Sequence, residues 1–98
     1  GVTVRWPVEQ LPYLTQWKNT AAENTGYVTG IEPGTGFPHN RSYERKHGRV
    51  PKLGPGQSRT FELDFAILAN AGEVKAAADA VKQLQGSKGP EIQKKPEE

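Results

Sequence analysis

The chain has 98 residues and a formal net charge of +2, and only 19 of its residues are Leu, Ile, Val or Phe. That share is close to the roughly 20% below which chains rarely build a core, so any independent core should be small. It has no cysteine, which excludes disulfides and thiolate metal sites, and no apolar run near the roughly 20 residues that span a bilayer, so we expect a cytoplasmic protein without membrane contact.

Three strands are predicted in the first third of the chain. Residues 2–6 alternate apolar and polar side chains, which is the period of a half-buried strand. Residues 13–17 are rich in aromatic and β-compatible residues and predict the second strand. Residues 27–32 predict the third. Because the ring of Pro33 disfavours helical backbone at the preceding residue, we expect Glu32 to be extended at the end of this strand.

The middle of the chain is predicted to be mostly irregular. Residues 33–55 are rich in proline and glycine, and only residues 49–53 suggest a short strand. Residues 59–68 show the clearest alternation in the chain. The side chains predicted to point inward there are Phe61, Leu63, Phe65 and Ile67.

One helix is predicted near the C-terminus, over residues 71–85. Asn70 can cap it, with Glu73 at the third helical position, and Gly86 supplies a stop. Apolar residues recur at helical intervals between them. Residues 87–98 contain a single large apolar residue, and we expect a disordered tail.

These elements predict a mainly β fold, an antiparallel β-sandwich element with one C-terminal helix, occupying residues 1–86. Strands connected by irregular segments, without alternating helices, argue against a parallel doubly wound sheet. The absence of methionine, together with the thin core, leads us to expect a piece of a longer protein.

Glu32 is the residue that most suggests chemistry. A carboxylate at a strand end, followed by Pro-Gly-Thr-Gly, stands where glycines let a ligand approach the backbone closely. This placement suits a general base. A solvated glutamate beside a turn is the other interpretation that the pattern allows.

Three blocks of the sequence resemble the C-terminal portion of the aldose 1-epimerase, or galactose mutarotase-like, superfamily. They are LPYLTQWKNT, GYVTGIEPGTGFPHNRSYER and GRVPKLGPGQSRTFELDFAIL, in that order, and the resemblance covers about residues 2 to 85. The chain is similar above all to a little-characterised bacterial branch of the superfamily. The resemblance implies a large β-supersandwich of which this chain would form the C-terminal third.

The same resemblance implies an activity and a role for Glu32. Enzymes of the superfamily interconvert the α and β anomers of a sugar, and the strand that ends here in Glu32 carries their general base. Their acid is a histidine from earlier in the chain, which nothing here matches, so the 98 residues alone should be inactive. A monosaccharide or sugar derivative is the implied partner, and no metal or organic cofactor is implied.

Further side chains are candidates for binding the sugar. Trp17 can stack on a sugar face or be a core residue. Asn40 can bond a hydroxyl, although asparagine is equally typical of turns. Arg41 can bind a phosphorylated or acidic sugar, or be a solvated loop residue. His39 and His47 are interpreted as exposed loop histidines.

Other classes of function remain open. A noncatalytic carbohydrate-binding module would bind a sugar without turnover, and a structural β-sandwich module would use exposed sheet edges to pair with another copy. The basic run over residues 41–52 is interrupted by Glu44 and carries no nucleic-acid motif, so we expect no nucleic-acid partner.

Overall fold

The structure is a computed structural model that describes residues 1–95 of the chain. Within that range it contains four strands, two α-helices and one turn of 3-10 helix. The elements are β1 (Val2–Arg5), β2 (Tyr13–Lys18), a 3-10 turn (Glu23–Thr25), β3 (Thr29–Gly34), α1 (Arg41–Lys46), β4 (Asp64–Ile67) and α2 (Ala71–Gln85). The predicted β element followed by a C-terminal helix is confirmed.

The strands form two antiparallel pairs. β2 pairs with β3 in a register that runs from Tyr13 opposite Gly34 to Lys18 opposite Thr29. β1 pairs with β4. At the end of this second pair, Gly1 and Leu68 exchange both of their N–H···O bonds, at 2.8 and 2.7 Å, which is the pattern of an antiparallel ladder.

The chain divides into two compact units. One consists of residues 1–3 with the chain from Phe65 onward, and it contains α2. The other is Val4–Asp64, which contains the β2–β3 hairpin and α1. The sequence predicted a single sandwich element over residues 1–86, and its place in a larger sandwich stays a prediction.

The third strand lies two residues later than predicted. Tyr27 and Val28 belong to the connection, where the Val28 carbonyl accepts a bond from Asn19 N–H at 3.2 Å. β3 continues through Pro33, which lies opposite Leu14, so Glu32 lies inside the strand rather than at its end. Proline is tolerated there because, within residues 1–95, β2 is the one strand that pairs with β3, so the other edge of β3 carries no ladder.

A short helix, α1, occupies part of the segment predicted to be irregular, and residues 49–53 form no strand. The Asn40 side chain caps α1, because its Oδ1 accepts from Tyr43 N–H at 2.8 Å and from the Ser42 hydroxyl at 2.8 Å. Gly48, with φ of +70°, follows the helix in the left-handed conformation that glycine favours.

The alternating segment over residues 59–68 is a strand only in its second half. Its apolar side chains were predicted to point inward, and this is wrong for the described chain, where Phe65 is 71% and Ile67 86% exposed. The first half is held differently: Glu62 N–H donates to Gln10 Oε1 at 2.6 Å. Alternation of apolar and polar residues indicates which side chains share a face of a strand. Those side chains become buried only if another part of the protein packs against that face.

The helix predicted over residues 71–85 is confirmed with those bounds. Asn70 Oδ1 accepts from Glu73 N–H at 3.0 Å, and Glu73 reaches back to Ala69 N–H at 2.6 Å, one residue before the position a capping box would use. The apolar stripe of α2 is uncovered, since Leu84 is 88% exposed. Of the predicted tail, residues 87–95 form neither helix nor strand, and residues 96–98 lie outside the described residues.

The buried interior is small, as the composition predicted. Leu11 is the one buried hydrophobic residue in residues 1–95, at 8% exposure. It closes a turn in which the Pro7 carbonyl accepts from Gln10 and Leu11 N–H, and its own carbonyl accepts from Trp6 Nε1 at 3.0 Å. No helix in the described part of the chain is long and apolar enough to cross a membrane.

Candidate functional site

One face of the β2–β3 hairpin carries Glu32 and Trp17 together. Residues directly opposite each other in a ladder project to the same face, and alternate residues along a strand share it. The register pairs Thr15 with Glu32 and Trp17 with Gly30. We call the surface formed by Tyr13, Thr15, Trp17, Gly30, Glu32 and Gly34 the hairpin face.

Two glycines flank Glu32 on the hairpin face. Gly30 and Gly34 are the neighbours of Glu32 on this face of β3, and neither presents a side chain. The Glu32 side chain folds back over Gly30, where a methyl group would stand 2.5 Å from Glu32 Oε1. The carboxylate therefore lies in the strip of surface opposite Trp17.

The Glu32 carboxylate is available for chemistry. It is exposed, and within residues 1–95 it has neither a hydrogen bond nor an ion pair. Trp17 is 50% exposed. A carboxylate able to exchange protons and an aromatic surface able to stack are thus presented on one side of the hairpin.

A second feature is a polar cavity of about 250 Å³ in the loop that follows β3, which we call the loop cavity. Its lining comes from the segment between Thr35 and Pro51 and includes His39 and Arg41. Arg41 is exposed and has no ion-pair partner in the part of the chain that the structure describes. Asn40 does not line the cavity.

A buried ion pair forms one wall of the loop cavity. Glu44, 5% exposed, accepts from Arg49 through Nε and Nη2, both at 2.8 Å, and from Phe37 N–H at 3.0 Å. The hydrogen bonds from Arg49 outweigh desolvation and lower the pKa of Glu44 from 4.5 to about 2. The same bonds raise the pKa of Arg49 further above its ordinary value.

Aromatic rings connect this ion pair to the hairpin. The Arg49 guanidinium lies 5.2 Å from the ring centre of Phe37 and 5.7 Å from that of Tyr43. The Phe37 ring in turn contacts Tyr13, with 4.7 Å between centroids. Since Tyr13 belongs to the hairpin face, this contact brings the loop cavity beside the face that carries Glu32.

The two histidines pack on α1. The rings of His39 and His47 lie 4.7 and 4.2 Å from that of Tyr43. His39 is exposed, as predicted. The prediction that His47 is exposed is wrong, since His47 is half-buried at the end of α1 and its Nδ1 lies 2.9 Å from the Tyr43 carbonyl oxygen. Neither belongs to the hairpin face.

The structure thus brings Glu32 and Trp17 to one surface and Arg41 to the adjoining cavity. Asn40 is a helix cap, so its side-chain oxygen is engaged. Sequence reasoning missed Glu44 and Arg49, because Glu44 was interpreted as an interruption of a basic run. No group of three or more acidic, histidine or cysteine side chains suited to a metal ion occurs within residues 1–95.

Comparison with known protein families gives a match over the first two thirds of the chain. A family profile described as Domain of unknown function (DUF4432) matches residues 1–67, which include the hairpin face and the whole loop cavity. No curated protein and no solved structure matches the chain.

Proposed function

This chain belongs to the DUF4432 family of domains of unknown function, and we propose that it contributes the general base of an isomerase that interconverts the α and β anomers of an aldose. Glu32 is the base. The observation that carries the proposal is the Glu32 carboxylate, which is exposed and unpaired within residues 1–95 and lies on the face that Trp17 shares, between Gly30 and Gly34.

That arrangement suits a sugar because a pyranose has an apolar ring face and a polar edge. The ring face stacks on an aromatic side chain, here Trp17, while the edge presents hydroxyls to hydrogen-bonding groups. Gly30 leaves the space in which the Glu32 carboxylate lies over β3, in the strip of surface opposite Trp17. A carboxylate at the rim of such a surface reaches the anomeric hydroxyl.

The reaction needs two proton transfers. Glu32 takes the proton of the C1 hydroxyl, the C1–O5 bond breaks as the C1 carbonyl forms, and O5 takes a proton from an acid. Rotation about C1–C2 and return of both protons give the other anomer. The resemblance described above implies that the acid is a histidine from earlier in the longer protein, not His39 or His47, and these steps require no metal or organic cofactor.

Two further side chains have assigned roles in the proposal. Arg41, in the loop cavity, binds a polar substituent of the sugar. Asn40 can contribute only its amide N–H₂ donors, since Oδ1 already accepts two bonds. The proposed partner is a monosaccharide or sugar derivative, and the proposed location is the cytoplasm.

The test is the rate at which freshly dissolved α-glucose and α-galactose reach anomeric equilibrium, followed by polarimetry or proton NMR. In the full-length protein that carries this chain, Glu32→Gln should slow interconversion roughly 10²- to 10⁴-fold, the usual contribution of a general base. The matched control is Glu23→Gln, which changes an exposed glutamate of the connecting loop and should leave the rate unchanged.

Two results would overturn the assignment of the base. One is a Glu32→Gln protein that interconverts anomers at the native rate, and the other is equal slowing by Glu32→Gln and Glu23→Gln. The 98-residue chain alone should give no acceleration, because a base without its acid lacks both positioning and the second proton transfer.

A noncatalytic carbohydrate-binding module is the nearest alternative, because it would use the same hairpin face. It predicts saturable binding of a monosaccharide that Trp17→Ala abolishes, without any acceleration by the full-length protein. Turnover that depends on Glu32 would exclude it.

A structural module that self-associates is favoured by a different observation, the exposure of Phe65 and Ile67 on a two-stranded sheet with open edges. It predicts a concentration-dependent increase in sedimentation coefficient that Ile67→Lys removes. A chain that sediments as a monomer at every concentration tested would exclude this role.

A further inference from the structure

We propose that the loop cavity binds an oxyanion, the phosphate or carboxylate group of an acidic sugar, with Arg41 as its principal ligand. The anion site is argued from the cavity itself. Its assignment to a sugar substituent rests on the function proposed above, which it narrows from aldoses in general to those that carry an acidic group.

The charges around the cavity favour an anion. Arg41 has no ion-pair partner within residues 1–95 and brings an uncompensated positive charge to the cavity. The one carboxylate in the lining, Glu44, is already engaged by Arg49 and by Phe37 N–H. A bound oxyanion therefore meets a net positive charge, and a guanidinium offers it two parallel donors.

The size of the cavity fits such a group. Its volume is about 250 Å³, whereas one water molecule in the liquid occupies about 30 Å³. A phosphate group with its first bridging waters can be accommodated. A cavity with so polar a lining does not suit an apolar ligand of the same volume.

The cavity is preformed rather than dependent on a ligand. Glu44, in α1, accepts from Phe37 N–H near the start of the loop and from the Arg49 side chain near its end. A methyl group on Gly36 would stand 2.7 Å from Glu44 Oε2 and 2.9 Å from the Arg49 carbonyl oxygen, so glycine lets the loop close tightly on the pair. Preorganisation of this kind lowers the entropy lost on binding.

The position of the cavity links it to Glu32. Thr35, at its edge, is three residues after Glu32, so their Cα atoms are at most about 11 Å apart even in fully extended chain. The ring contact between Tyr13 and Phe37 holds the loop against the hairpin face. A sugar whose anomeric carbon is at Glu32 can extend an acidic substituent toward Arg41.

The experiment measures binding to the 98-residue chain by backbone-amide NMR at constant ionic strength, with inorganic phosphate, glucose 6-phosphate, glucuronate and glucose as probes. Inorganic phosphate should shift amides of residues 35–51 saturably. Arg41→Gln should weaken binding roughly tenfold or more, as expected for loss of a charge-assisted bond. Arg45→Gln is the matched control, because Arg45 is an exposed arginine of the same helix that does not line the cavity.

If Arg41→Gln and Arg45→Gln weaken phosphate binding equally, the proposed site is wrong, because phosphate is then attracted only by the net charge of the chain. Amide shifts at basic residues throughout the chain, rather than within residues 35–51, would also overturn the site. Tighter binding of glucose 6-phosphate or of glucuronate than of inorganic phosphate would identify the acidic group, and no gain with either sugar would overturn the sugar assignment.

The phosphate-binding test of the anion site and the anomer-interconversion test of the base can fail independently. Glu32→Gln should leave phosphate binding intact while it abolishes anomer interconversion in the full-length protein. If the wild-type chain does not bind phosphate but the full-length protein turns over neutral sugars in a Glu32-dependent way, the anion site is rejected. The assignment of Glu32 as the base is then retained.

Discussion

The carboxylate of Glu32 lies over the Cα of Gly30, so close that a methyl group there would stand 2.5 Å from Oε1. Gly30 is not needed for its backbone conformation, since the glycines with positive φ in the described chain are Gly26, Gly48, Gly56 and Gly86. What Gly30 provides is space, and this space determines where the Glu32 carboxylate lies.

Gly30→Ala should therefore impair activity without unfolding the protein. The new methyl group meets only the far end of a flexible side chain, so the hairpin should persist while the carboxylate moves. Displacement of a reacting group by about 1 Å can cost roughly 10²-fold in rate. We expect a loss of this size in the proposed anomer interconversion by the full-length protein, with an unfolding midpoint near that of the wild type.

Gly89→Ala is the control for this substitution, because a methyl group on Gly89 meets nothing within 4 Å. It should change neither the rate nor the unfolding midpoint. A Gly30→Ala protein with the native rate would show that the position of the Glu32 carboxylate does not matter to the reaction.

Glu44 should make the stability of the chain depend on pH in the acid range. Its pKa is about 2 in the folded chain and 4.5 ordinarily, so the unfolded state binds its proton first as pH falls. The stabilisation is therefore complete above about pH 4.5 and is lost as pH falls from there to about 2. Thermal unfolding followed by circular dichroism should show the midpoint of the wild type falling through this window.

Glu44→Gln keeps the shape of the side chain and removes the titrating group. Its unfolding midpoint should lie below that of the wild type at neutral pH, and the difference should vanish near pH 2. Glu9→Gln, which alters an exposed turn residue, is the control and should follow the wild-type curve. Parallel curves for the wild type and Glu44→Gln over the whole range would contradict the assignment.

The cap of α2 should be measurable as helix stability. Asn70→Ala removes the acceptor for Glu73 N–H and should cost about 1 kcal/mol. Asn70→Asp keeps an acceptor beside the positive end of the helix and should cost little. Far-UV circular dichroism against temperature distinguishes the two, and equal melting of both variants would show that the side-chain bond contributes nothing.

Helix α2 was predicted correctly because the residues that start, stop and pattern it are close together in sequence. The cap, the apolar spacing and the stopping glycine of α2 are all within the helix or next to it, and the bounds are confirmed. α1 was missed because the surrounding prolines and glycines suggested irregular chain. Its own signal was present, however, since Asn40 precedes it as a cap and Gly48 follows it.

Burial was harder to predict than periodicity. The alternation of Phe65 and Ile67 correctly indicated one shared face, but whether that face is covered depends on chain packed against it. At the site, Glu32 and Trp17 were identified separately from the sequence. Their presence on one face follows from the register of β2 and β3, which depends on the pairing of strands that are apart in sequence.

The loop cavity is built from one contiguous stretch of chain, and this has a consequence for how it forms. Glu44 and Arg49 are five residues apart, and Phe37 is seven residues from Glu44. Closing so short a loop costs little entropy and takes on the order of 10–100 ns. We expect the cavity to assemble early in folding, before the distant pairing of β1 with β4, and to tolerate transfer into another scaffold as a single segment.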